Sequence, residues 1–231
     1  MRLPFYYAAP LLSMMRPLLF IVALLSMPAW ADPPKFSSGG VIFGLQYGPG
    51  FWSFDRSFIN SQVPATYGNQ FLADLQNTHT LGVRLGYNIL GHVSLEANLV
   101  ATGWNLSDSS RGGGGILTGI LAWHPLELIF IKKERRPIAL DASIFFGAGY
   151  GIIGQSVGMD GLVWQWGMTV DYWFNRFVGL GAFVRGSFPR FGALYINYDQ
   201  RNAPGNTFPM PNTSGGMFWI PGVELLLRFG E

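Results

Sequence analysis

The sequence predicts an all-β chain, an eight-stranded antiparallel barrel that crosses a membrane, and three observations carry the prediction. Only 12% of the 231 residues are charged while 49% are hydrophobic, against roughly 25% charge in soluble domains. Beyond residue 31 the apolar residues recur at every second position, the period of a strand. The links between these alternating segments are long and short in turn, as in barrels that set long loops outside the cell and short turns in the periplasm.

The N-terminal residues form a separate element. "PLLFIVALLSMPAW" at 17–30 falls short of the roughly 20 apolar residues of a spanning helix. It follows Arg16 and ends at Ala29-Trp30-Ala31 before "DPPK", which is the layout of a cleaved signal peptide covering residues 1–31. A translation start at Met14 or Met15 would leave a signal of ordinary length. Removing residues 1–31 takes away Arg2 and Arg16 and no acid, so the 15 basic and 13 acidic residues become 13 and 13. A neutral mature chain gives no electrostatic footprint for nucleic acid. With no cysteine there is no disulfide, thiolate chemistry or lipid-modified N-terminus.

The barrel domain, 32–231, reads as strands at about 40–53, 80–90, 93–105, 116–128, 138–153, 163–174, 178–190 and 217–229. In "TLGVRLGYNI" Leu81, Val83, Leu85, Tyr87 and Ile89 share one face, opposite Gly82, Arg84, Gly86 and Asn88. In the next segment Val93, Leu95, Ala97, Leu99 and Ala101 oppose Ser94, Glu96, Asn98 and Thr102. Strand four, "ILTGILAWH", is apolar on both faces, and Pro221 requires a local distortion of strand eight. Long loops are expected at about 54–79 and 191–216, rich in aromatic residues and prolines.

Aromatic residues give the direction of the faces. Trp164 and Trp166 mark one end of strand six, Tyr172 and Phe174 the other, with Met168 and Val170 between. Ten residues at roughly 3.3 Å each, tilted about 40°, cover roughly 25 Å, the height of a lipid-facing band between two aromatic girdles. The apolar face is therefore expected to meet lipid. The signal peptide, even strand number and long outer loops resemble the small outer-membrane barrels of the OmpA/OmpX type. So does the closing segment "GVELLLRF", where Gly222, Leu225, Leu227 and Phe229 resemble the C-terminal signal read by the barrel-assembly machinery. The resemblance covers residues 36–231 and implies a multi-pass protein of the bacterial outer membrane, with lipid and that machinery as partners.

The other face collects Gln46, Arg84, Glu96, Asn98, Asp141, Gln165, Asp171, Arg185, Glu224 and Arg228. A mid-membrane charge on the lipid side would cost roughly 2–4 kcal/mol for Arg. An inward charge in a narrow barrel must be paired or hydrated. These residues are expected to form a salt-bridge network that fills an interior just wide enough for side chains. The alternative is a gated narrow pore for ions or small solutes.

No enzyme, cofactor or metal is expected. No two of His79, His92 and His124 have zinc-ligand spacing. None has a serine beside it in sequence, Ser94 near His92 being the nearest, so a lipid-trimming hydrolase is not expected. "GYGIIG" at 149–154 matches a dinucleotide fingerprint only in letters, because no helix follows. Gly147, Gly149 and Gly151, with Gly179 and Gly181, instead leave room inside for bulky neighbours such as Phe145 or Phe183. The loops are candidate surfaces for an extracellular protein. The basic turn with Lys132, Lys133, Arg135 and Arg136 is a candidate dock, at residues 129–137, for a periplasmic partner in a trans-envelope assembly.

Overall fold

The structure, a computed structural model, describes residues 40–53, 76–89, 91–105, 111–130, 139–154, 158–195, 206–214 and 216–229. The expected signal peptide with its alternative starts, most of the expected loop at 54–79, and Lys132, Lys133, Arg135 and Arg136 lie outside the described residues.

Eight strands make the barrel: β1 (Val41–Ser53), β2 (Gln76–Asn88), β3 (Val93–Asn105), β4 (Arg111–Trp123), β5 (Leu140–Gly154), β6 (Gly158–Trp173), β7 (Val178–Tyr195) and β9 (Met217–Phe229). Each pairs antiparallel with its neighbour, and β9 closes the ring by pairing with both β7 and β1. Closure leaves no open edge within the ring, which a lipid environment demands because nothing there can satisfy free backbone groups. One irregularity lies in the closing seam. The β1–β9 ladder keeps its register from Tyr47↔Val223 to Phe51↔Trp219 but lacks the three pairs between. Pro49 and Pro221 face each other there, and neither has an N–H to donate.

Outward side chains are the apolar set. Leu81, Leu85, Leu95, Leu99, Leu117, Leu121, Phe146, Met168 and Val170 are all exposed, while Arg84, Glu96, Asn98, Thr118, Ile120 and Thr169 on the opposite face are buried. Apolar outside and polar inside is the reverse of a soluble barrel and fits lipid as the surrounding medium.

Several elements depart from the sequence-based reading, β4 and β6 among them, which begin at Arg111 and Gly158 rather than at about 116 and 163. Strand four ends at Trp123, and Pro125–Phe130 form a short helix, α1. Pro125 cannot extend a ladder but suits the first turn of a helix, so the expected strand to residue 128 stops early. The expected loop at 191–216 is partly strand. β7 continues to Tyr195, and an additional strand β8 (Thr207–Ser214) pairs with its outer end. β8 and β9 lie on the same edge of β7, separated at Gly216, whose φ of 80° is a left-handed turn that glycine adopts without strain. Likewise Gln76–His79, read as loop, begin β2.

The turns at the inner end are held by asparagines. Asn88 Oδ1 accepts the Gly91 amide at 2.6 Å, and Gly91 sits at φ 79°. Asn175 Oδ1 accepts the amides of Phe177 and Val178 at 2.8 and 2.9 Å. Such side-chain mimicry of a turn is what Asn supplies.

Candidate functional site

Each of the ten residues assigned inward by sequence is buried in the barrel. At the centre Arg84 reaches three strands: its Nη1 lies 3.0 Å from Glu224 Oε1, its Nη2 3.6 Å from Asp171 Oδ2, and its Nε 3.8 Å from Glu96 Oε2. A guanidinium suits this task because its donors point in several in-plane directions. One step outward Gln46 donates to Glu224 at 2.9 Å, and its carbonyl accepts from Asn98 at 3.0 Å and from Arg185 at 3.1 Å. Arg185 also donates to Asn98 Oδ1 at 2.8 Å and lies near the rings of Phe183 and Phe145, 5.1 and 5.6 Å from their centroids. Cation–π attraction thus adds to hydrogen bonding. Gln165 accepts from Thr118 at 2.9 Å and donates to Ser187 at 3.1 Å. Asp141 stands apart at the inner end, beside His124, and Arg228 is buried at the same end near Gly40.

The lumen is not polar throughout. Toward the outer end the next inward residue turns apolar on three strands: Asn98 gives way to Val100, Thr118 to Ile116, and Gln165 to Val163. With Phe183, Phe218 and Ile220 these form one buried cluster, and Trp52 stacks on Phe218 at 3.7 Å between centroids. Ile42, Trp173 and Leu226 form a smaller cluster elsewhere in the barrel. The signal for the larger plug was present in strand four, whose two faces both carried apolar residues.

Glycines admit the bulky side chains, only in part at the positions the sequence suggested. Phe145 packs over Gly167 and Phe183 over Gly222, whereas Gly147 and Gly151 lie against Ile120 and Val163. Gly181 faces the carboxylates of Asp171 and Glu224, and Gly179 lies against Trp173. Gly222, assigned to the assembly signal with Leu225, Leu227 and Phe229, therefore also has an interior role. Phe229 is exposed and pairs with Val41.

On the outside Trp164, Trp166 and Tyr172 are exposed, and Phe174 lies in the inner turn with its ring 5.3 Å from Tyr172. Trp166 meets Trp219 edge-on at 5.2 Å, and Phe146 stacks near Trp164 at 5.7 Å. Aromatic pairs thus gather toward one end of the belt and Tyr172 with Phe174 mark the other.

Sequence reasoning missed one constellation. Ser94 Oγ lies 3.0 Å from His124 Nε2, and His124 Nδ1 lies 2.8 Å from Asp141 Oδ2. No serine adjoins His124 in sequence, but β3 and β4 pair so that the start of one meets the end of the other.

No protein-family model and no curated protein matches the chain. Among solved structures, Neisserial surface protein A matches with a TM-score of 0.51 at 8% identity, over 83% of this chain and 97% of that one. The chain has the fold of the small eight-stranded outer-membrane barrels. The outer membrane protein OprG from Pseudomonas aeruginosa aligns at a TM-score of 0.49 with 11% identity, covering 87% of this chain and 100% of that one. A major outer membrane protein from Thermus thermophilus aligns at 0.48 with 11% identity, covering 82% and 99%. The chain shares the architecture of the Neisserial protein at 8% identity, because the fold asks only for alternation, turns and a matched register.

Proposed function

We propose that the protein is a non-enzymatic, non-conducting outer-membrane scaffold whose outward segments offer a binding surface. The observation that carries this reading is the filled lumen. The Arg84 and Arg185 networks occupy its middle, and the cluster of Val100, Ile116, Val163, Phe183, Phe218 and Ile220 lies beyond them toward the outer end. An ion crossing that cluster would exchange most of its hydration for apolar side chains, which a buried charge cannot do cheaply. The outward extension of β6, β7 and β8 beyond the β7–β9 pairing adds a built surface above the ring. Reconstitution in planar bilayers tests the reading. Silent membranes are expected, and steady openings that change when Arg84 or Asp171 is neutralised would overturn it in favour of a narrow pore.

A further inference from the structure

Ser94 is the second residue of β3, His124 follows β4 and Asp141 is the second residue of β5, so three neighbouring strands bring these side chains together at the inner end. The order serine, imidazole, carboxylate is that of a nucleophilic triad. Two features argue against nucleophilic use. Ser94, His124 and Asp141 are 0%, 1% and 1% exposed, so no substrate reaches the hydroxyl. The hydroxyl proton is also committed, because Ser94 Oγ donates to Glu96 Oε1 at 2.8 Å.

That second bond sets the protonation of the ring. A serine has one O–H; with it given to Glu96, Ser94 Oγ can only accept from His124, so Nε2 carries a proton. Asp141 Oδ2 at 2.8 Å from Nδ1 accepts the other. Both nitrogens donate, which only an imidazolium does. The charges agree. Among the described residues inward of the apolar plug, the buried acids are Glu96, Asp141, Asp171 and Glu224, and the buried guanidiniums are Arg84, Arg185 and Arg228. An imidazolium is the fourth cation.

We propose that His124 is a proton-operated latch: charged, it ties the start of β3 to the start of β5 and completes the charge pairing of the lumen; neutral, it releases Glu96. On losing its proton Nε2 becomes an acceptor and draws the Ser94 hydroxyl to itself. Glu96 Oε1 then loses its donor, and four carboxylates face three guanidiniums. The effect reaches the centre because Glu96 also faces Arg84. The groups around the ring are Asp141 on β5, Glu96 on β3 and Arg84 on β2, with the His92 carbonyl accepting the His124 amide and the Glu127 amide of α1 donating to the His124 carbonyl. Burial alone would lower the His124 pKa. The hydrogen bond and charge of Asp141, with the charge of Glu96, outweigh burial and Arg84, so it stands raised above the ordinary histidine value. A raised folded pKa gives stability that is complete below the unfolded value and lost as pH rises through the folded one.

The test is imidazole titration by NMR on the full-length protein, folded in lipid discs and labelled at its histidines, beside unfolding rates in SDS read by heat-modifiable gel mobility. One imidazole, absent from His124→Gln, is expected to stay cationic above the ordinary range, and Asp141→Asn is expected to lower its titration. Wild-type unfolding should quicken by about tenfold once that group titrates, the scale of one charge-assisted hydrogen bond, while His124→Gln shows no such step. Ser94→Ala, which keeps the imidazole, should shrink the step if His124→Gln does not fold. Ordinary titration of all three histidines, or an identical pH profile in wild type and His124→Gln, would overturn the latch. Labelling of Ser94 in the folded protein by a fluorophosphonate would overturn it too, in favour of a nucleophile.

Discussion

Arg84 of β2 and Glu224 of β9 meet at 3.0 Å in the middle of the barrel, bridging strands that are not neighbours in the ring. The β1 strand lies between them. The pair therefore ties the closing seam from inside, at the same level where Gln46 of β1 also binds Glu224.

Removing this cation should be among the most damaging single changes. Arg84→Met leaves Glu96, Asp171 and Glu224 in the lumen without their shared partner. A broken buried ion pair costs about 3–5 kcal/mol. Urea-driven unfolding in lipid vesicles should register a loss of that size. Adding Glu224→Gln to Arg84→Met should recover part of it, because one uncompensated charge goes.

The lipid-facing belt makes a separate prediction. Leu99 and Leu117 are paired, outward and about half exposed. Leu99→Arg should cost roughly 2–4 kcal/mol by the same measurement if it lies at the mid-membrane level. A negligible cost would mean that this face meets water.

Gly222 offers a third test, and it separates folding from recognition by the assembly machinery. A Cβ there would come 2.5 Å from Phe183 Cζ and the Tyr47 carbonyl. Gly222→Val should destabilise the folded barrel by about 1–3 kcal/mol through overpacking. Pairing it with Phe183→Leu should restore part of the loss when refolding is carried out in vesicles without any assembly factor. An unchanged deficit in the double variant would place the clash on the backbone alone.

Much of this architecture can be read from the chain before it folds. Alternation in segments such as 80–90 and 93–105 assigns each residue a face, because successive side chains of a strand point opposite ways. The aromatic spacing from Trp164 to Phe174 then says which face meets lipid. Pro125 and the 191–216 segment were harder. A helix of six residues and a strand broken by Gly216 are decided by local turn chemistry and by the neighbouring edge of β7. Neither has a period long enough to see.

What the sequence determined by itself is the inventory: an apolar exterior, and a lumen supplied with Gln46, Arg84, Glu96, Asp171, Arg185 and Glu224. What only the tertiary structure decided is which of them meet. Contacts across a barrel depend on the stagger at which the last strand closes on the first, a property of the whole ring. Alternation says that Ser94 points inward but cannot say that its hydroxyl meets the ring of His124, 30 residues on. It lists Val100, Ile116, Val163 and Phe218 on four separate strands, and only closure at one stagger stacks them into a single plug.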